Sequence, residues 1–181
     1  MIDDEKLIKG CKANKSRAQR QLYEKYAPKM YVVCLRYSNS KEEAEDVMHD
    51  AFLKIYSAIS KFRGDGVLEA WMRRIMVNTA LSQLKKNAKF QTVNIDDYPI
   101  IQEEDSQKID AVSPEKLIEE IQKLPTGYRS VLNMFVFEKY SHKEIAETLG
   151  ITENTSRSQF SKAKILLRKR LEERMKYEKL G

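Results

Sequence analysis

Asn154, Arg157, Ser158, Ser161 and Lys162 recur through the run TENTSRSQFSKAKILL at helical spacing, which gathers short polar and basic side chains on one face of a helix. Arg and Asn can meet base edges with paired hydrogen bonds, and Ser and Lys can reach bases or phosphates. The chemistry this face offers is therefore recognition of DNA through a major groove. Ser156, Phe160, Ala163 and Leu167 repeat at the same period on the other side and are expected to face inward.

The residues just upstream would position that helix. Ser141, with Glu144 three residues on, forms a capping box for a short helix whose apolar face is Ile145, Ala146 and Leu149. Gly150 ends it, because a left-handed residue there carries no Cβ clash, and Thr152 caps the next helix two residues later. With the small Ala146 at the crossing, this is the pattern of a helix-turn-helix. The plain alternative is a solvated helix in an all-helical protein; cap, glycine turn and second cap together favour DNA binding. His142 is accounted for by its place at a helix start.

Two further faces lie in the first half of the chain. Glu43, Asp46, Asp50 and Leu53 fall on one line of a helix with His49 beside them, away from that helix's apolar stripe. An acidic row ending in leucine suits a basic partner helix with an apolar patch, although such a row can also be plain solvation. No second His, Cys or paired carboxylate stands in register with His49, so neither a metal site nor a general base is read there. On the next helix Arg74, Asn78, Leu81 and Lys85 share a line flanked by Arg73, and the loop Phe62–Gly66 offers an aromatic and two glycines to an unstacked base. Trp71 is expected in the core; for Phe62, core and base contact are both open.

These faces require several helices. Asp3 or Asp4 caps one expected to run to about Gly10, and Ser16 starts another containing Ala18, Leu22, Tyr23 and Tyr26. Pro28 interrupts that pattern and either kinks the helix or restarts it, with Met30, Tyr31, Val33, Cys34 and Tyr37 beyond. Ser40 and Glu43 read as a second capping box, after which Ala44, Val47, Met48, Ala51, Phe52, Ile55 and Ile59 trace a wide apolar stripe. A helix from about Leu68 to Lys86 places Leu68, Trp71, Met72, Ile75 and Thr79 on one side. No period is sustained from 90 to 112, which reads as a linker. Ser113 and Pro114 open a helix with Leu117, Ile118 and Ile121 that ends at Leu124-Pro125, and VLNMFVF is read as helix because its neighbours are.

The 181 residues suffice for one ordinary domain or two small ones, and the net charge of +6 favours a polyanionic partner. Its distribution is more telling. Lys and Arg outnumber Asp and Glu seven to two over 61–90 and nine to four over 151–181, but are outnumbered two to nine over 91–120. Two basic blocks thus flank an acidic one. Cys11 and Cys34 lack metal-ligand spacing and are read as small buried side chains of a reduced compartment. Neither a leader peptide nor a spanning apolar run is read, so a soluble cytoplasmic protein without membrane insertion is expected.

Taken together, YEKYAPKMYVVCLRY, EAEDVMHDAFLKIY, KFRGDGVLEAWMRRIMVNTALSQLKK and the long run from LPTGYRS to LLRKRL resemble bacterial sigma factors of the sigma-70 family, extracytoplasmic-function class. The resemblance implies an all-α protein of two small helical domains joined by a flexible acidic linker, the second domain carrying the helix-turn-helix. Residues 1–89 would form the region 2 domain, 90–112 the linker and 113–181 the region 4 domain. It implies a transcription initiation factor that binds core RNA polymerase and selects promoters, in a stress or envelope response. Asp46, His49, Asp50 and Leu53 would dock on polymerase, and Phe62, Arg63, Ile75 and Asn78 would hold the minus-10 element with a flipped base. Arg157, Ser158, Ser161 and Lys162, with Asn154 beside them, would read the minus-35 element. Ser156 stands where the family often has an apolar residue, and His49 where glutamine is common.

Core polymerase, promoter DNA and an anti-sigma protein are the partners implied, the free chain being monomeric and needing no cofactor or metal. A stand-alone helix-turn-helix regulator, binding operator DNA as a dimer, is the alternative. No catalytic residues are assigned, because no phosphate-binding glycine loop, metal cluster or nucleophile with a positioned base is present in the sequence.

Overall fold

Helix signals dominate the chain, and the computed structural model, which describes residues 3–64, 66–86 and 112–180, contains no strand among them. It divides into two units, Met1–Lys86 and Asn87–Gly181. The expected acidic linker lies almost wholly at 87–111, outside the described residues.

The first unit is a bundle of α2 (Ser16–Tyr37), α3 (Lys41–Ala58) and α4 (Leu68–Lys86), each packed on the other two, with α1 (Asp4–Lys12) against α2. Asp3 caps α1 by accepting from the Glu5 amide at 3.3 Å. The helix continues past Gly10, where the sequence pattern suggested its end, because Gly10 serves a contact: a Cβ there would lie 2.4 Å from the Cβ of Ala18 on α2. Leu7 and Cys11 are buried by that approach.

Pro28 neither breaks nor restarts α2. Pro28 and Glu24 are both exposed, whereas Leu22, Tyr26, Met30 and Val33 are buried, so the carbonyl that loses its amide partner is on the hydrated side. At the start of α3 the cap differs from the expected box. Ser40 accepts from the Glu43 amide at 3.1 Å, but the Glu43 carboxylate turns to Asn39, at 2.9 Å from its backbone nitrogen and 2.8 Å from its side-chain amide.

Of the side expected to pack on α4, Leu68, Met72 and Thr79 are buried while Trp71 and Ile75 are only half-buried. Met76, Val77, Ala80, Leu81 and Leu84 complete the core. Leu81 therefore leaves the polar line with Arg74, Asn78 and Lys85, since a helix touching two neighbours buries more than one stripe.

In the second unit, Ser113 caps α5 (Pro114–Gln122) with Pro114 in the first turn, as expected. VLNMFVF falls in and just beyond α6 (Thr126–Val136), which is followed by α7 (His142–Leu149) and α8 (Glu153–Leu180). Ile121, Leu124, Tyr128, Leu132 and Ala163 form a core joined by Leu117, Phe137, Phe160 and Leu167. Arg129 is fully buried and closes α5 by donating to the Gln122 carbonyl at 2.7 Å. Arg174 ties α8 to α5 through Glu119 at 2.7 Å and Glu120 at 3.1 Å.

The Gly10 approach sets a clear expectation. Gly10→Ala gains helix propensity, but the 2.4 Å approach to Ala18 outweighs it, for a net loss of about 1–3 kcal/mol in urea unfolding. Ala18→Gly in the same chain should recover part of that loss. An unchanged midpoint for Gly10→Ala would show that α1 need not approach α2 so closely.

Candidate functional site

The turn between α7 and α8 is built from local bonds. Ser141 accepts from the Glu144 amide at 3.3 Å, and the Glu144 carboxylate accepts from the Ser141 amide at 2.8 Å. The bonds to Ser141, backbone first, hold the Glu144 carboxyl below the usual carboxylate range. Gly150 takes the left-handed conformation, φ 72°, and its amide and that of Ile151 both donate to the Ala146 carbonyl, at 2.9 and 3.1 Å. Two residues on, Thr152 accepts from the Thr155 amide at 3.0 Å and starts α8.

The joint between the two helices is polar. Ser156 is fully buried, and its Oγ lies 2.9 Å from Nδ1 of His142. The imidazole stacks on Phe135 of α6 at 4.6 Å and meets Phe160 of α8 edge-on at 5.7 Å. His142 thus does more than start a helix. Burial, and then the Arg157 charge, hold its pKa below the ordinary value of 6.5, partly offset by Glu153. The sign that could have revealed this role was Ser156 itself, a hydroxyl at an inward position that needs a partner.

On the opposite face of α8, Asn154, Arg157 and Ser161 are exposed and Ser158 and Lys162 half-buried. Ser156 and Ala163 face inward as expected, whereas Phe160 and Leu167 are half-buried. Arg157 Nη2 sits 2.5 Å from Glu153 Oε1, a partner the sequence reading passed over.

In the first unit the acidic row stands on the bare side of α3. Asp46, His49 and Asp50 are exposed, and Leu53 is 53% exposed. Asp50 Oδ2 accepts from Gln83 of α4 at 3.0 Å, and Lys54 donates to Thr79 at 3.1 Å, so two polar ties cross between the helices.

The loop after α3 resolves the open reading of Phe62. Its ring is only 7% exposed and lies 5.2 Å from that of Trp71. The Phe62 amide donates to Ile59 at 3.2 Å, and its carbonyl accepts from Lys12 of α1 at 2.8 Å. Phe62 is an anchor, and the exposed side chain at this point is Arg63. Gly64 follows with φ 86°, and Asp65 lies outside the described residues. Further along α4, Ile75 is half-buried and Asn78 exposed, near the exposed Arg74 and Lys85. Lys12, Gln83, Glu153 and His142 are the residues that sequence reasoning missed; Lys12 and Gln83 act across tertiary contacts that no local pattern encodes, whereas Glu153 stands four residues before Arg157 on the same helix.

Among the described residues no group of three or more His, Cys, Asp or Glu side chains could hold a metal ion, and no helix is long and apolar enough to cross a membrane.

Comparison with known proteins gives these faces a context. Residues 22–90 match the family profile of sigma-70 region 2, and residues 115–167 that of sigma-70 region 4. The RNA polymerase sigma-H factor of Pseudomonas aeruginosa is 29% identical over 93% of this chain and 94% of its own. The extracytoplasmic-function RNA polymerase sigma factor SigW of Bacillus subtilis is 28% identical over 92% of this chain and 95% of its own. Among solved structures, the sigma factor RpoE from Bartonella quintana, crystallised with the anti-sigma factor NepR, shares the fold. Its TM-score is 0.53 at 19% identity, covering 84% of this chain and 96% of that one.

The His142 environment has a sign that can be checked. With the folded pKa held below 6.5, the unfolded chain binds a proton here before the folded one does. The stability that neutral His142 supplies is complete above pH 6.5 and is lost as the pH falls through the folded value. The chain has two histidines, so an NMR titration compared with His142→Gln assigns the signal. It should titrate below 6.5; a value at or above 6.5 would contradict the buried joint.

Proposed function

Because the chain belongs to the sigma-70 family, in its extracytoplasmic-function class, we propose that its faces divide the work of joining core RNA polymerase and directing it to promoters. It is a transcription initiation factor that acts by binding two unlike promoter elements, with core polymerase and promoter DNA as partners. The observation that carries this reading is the presence, in one chain, of an exposed acidic and leucine face on α3 and a helix-turn-helix whose second helix, α8, turns Asn154, Arg157 and Ser161 to solvent. Similarity to sigma factors along nearly the whole of their length supports it.

In this reading Asp46, His49, Asp50 and Leu53 dock on a basic, partly apolar surface of polymerase. Arg63, Ile75 and Asn78 meet the minus-10 element, where a base leaves the stack, and Phe62 holds the loop that presents Arg63. Asn154, Arg157, Ser158, Ser161 and Lys162 enter the major groove at the minus-35 element. The boundaries 1–89, 90–112 and 113–181 describe the two working domains and their linker. The protein works in the cytoplasm, where promoters are, and an anti-sigma protein that covers these faces holds it inactive.

Two substitutions test the division of labour. Asp50→Arg removes an acidic group and adds repulsion, so affinity for core enzyme should fall roughly tenfold or more. Interferometry with immobilised core polymerase reads this directly, and unchanged affinity would take the α3 face out of the docking surface.

Arg157→Ala should cost about 1–3 kcal/mol on the preferred minus-35 element and much less on a variant changed at the contacted pair. Lys162→Ala, if it meets phosphate, should weaken every sequence alike and lower the salt slope by about one contact. Holoenzyme binding to a panel of single-base variants at two salt concentrations separates them. A uniform loss for Arg157→Ala would make that residue a backbone contact.

A further inference from the structure

The recognition face contains one acid. Of the four acidic residues in 151–181, Glu172, Glu173 and Glu178 lie far along α8, but Glu153 stands in its first turn, beside the basic groups proposed to enter the groove. A negative charge facing phosphates weakens DNA binding, so its position calls for a compensating role. Glu153 Oε1 lies 2.5 Å from Arg157 Nη2, and the two side chains are 46% and 61% exposed. An ion pair this exposed adds little to fold stability. The order is the favourable one, with the acid four residues before the base on one helix face and near the helix N-terminus.

We propose that Glu153 is a specificity-determining residue: its carboxylate holds the Arg157 guanidinium in the orientation that reads a guanine edge and keeps it from settling on phosphate. The proposal rests on the assignment of Arg157 to base reading. A guanidinium has five N–H donors in a rigid plane, and the bond to Glu153 uses one of them. The rest remain for the paired acceptors of guanine. Arginine is otherwise a long, mobile side chain, and ordering it before DNA arrives removes a cost that binding would have to meet. The same carboxylate subtracts one unit of charge from the approach to any phosphate. The charge lowers affinity for every sequence while the ordering returns affinity only on the preferred element, so the difference between sequences is raised, which is how a repulsive element contributes to specificity.

The test uses the full chain assembled with core polymerase and a minus-35 element selected from a randomised library, together with all its single-base variants. Glu153→Ala and the near-isosteric Glu153→Gln are compared with Arg157→Ala and the double variant. Removing the carboxylate should tighten binding to mismatched elements, steepen the salt dependence, and reduce discrimination roughly two- to tenfold at the position that Arg157→Ala relaxes. In the Arg157→Ala background, removing Glu153 should leave discrimination there unchanged. Discrimination retained in both Glu153 variants would overturn the proposal while leaving Arg157 as a reader. Relaxation at a different base pair would make Glu153 a reader itself and would also overturn it. If Arg157→Ala weakens all elements alike, the base-reading assignment fails and the role of Glu153 fails with it.

Discussion

A helix that must leave a polar face bare can be held only through its opposite face, and this constraint decides what is buried in both units. In the second unit α8 is gripped by α5, α6 and α7 through Ser156, Ala163 and Leu171, which leaves Asn154, Arg157 and Ser161 in water. In the first, α4 packs on α2 and α3 through residues from Leu68 to Leu84, which leaves Arg74, Asn78 and Lys85 exposed. The packed faces determine where the exposed faces, which are proposed to carry the function, point.

Small polar ties refine that grip. The pair His142 and Ser156 closes α7 on α8 inside an aromatic setting, and the fully buried Ser156 hydroxyl left alone there would cost about 1–3 kcal/mol for an unmet polar group. In the first unit Lys12 reaches from α1, upstream of the segment that matches sigma-70 region 2, to the carbonyl of Phe62. The loop that presents Arg63 is therefore fastened by a ring in the core, a turn bond and a lysine. Gln83 does similar work for Asp50, linking the face proposed to dock on polymerase to the helix proposed to meet the minus-10 strand.

What could be read from the sequence was what is local. Ser141, Glu144, Gly150 and Thr152 act within a turn or two of themselves, and the structure places each in the expected role. The bounds Leu68 and Lys86 of α4 and the first-turn place of Pro114 were legible for the same reason. Gly10 resembled a helix stop because its reason is a neighbour on another helix, and Pro28 resembled a break because its exposure depends on the bundle. Leu81 shares the spacing of the polar line and Phe62 is open to core or base contact by sequence; tertiary packing buries both. Glu153 falls outside a pattern of polar and basic side chains, although its spacing of four from Arg157 is legible in the chain.

The central claim is that one chain uses two unlike DNA faces only in company with polymerase. Nuclease footprinting of a promoter with the chain alone, with core polymerase alone and with both tests it most directly. The account predicts two separate, dissimilar protected elements that appear together only when both proteins are present. Protection of two symmetric half-sites by the chain alone would contradict it, and would mark the protein as a free-standing helix-turn-helix regulator.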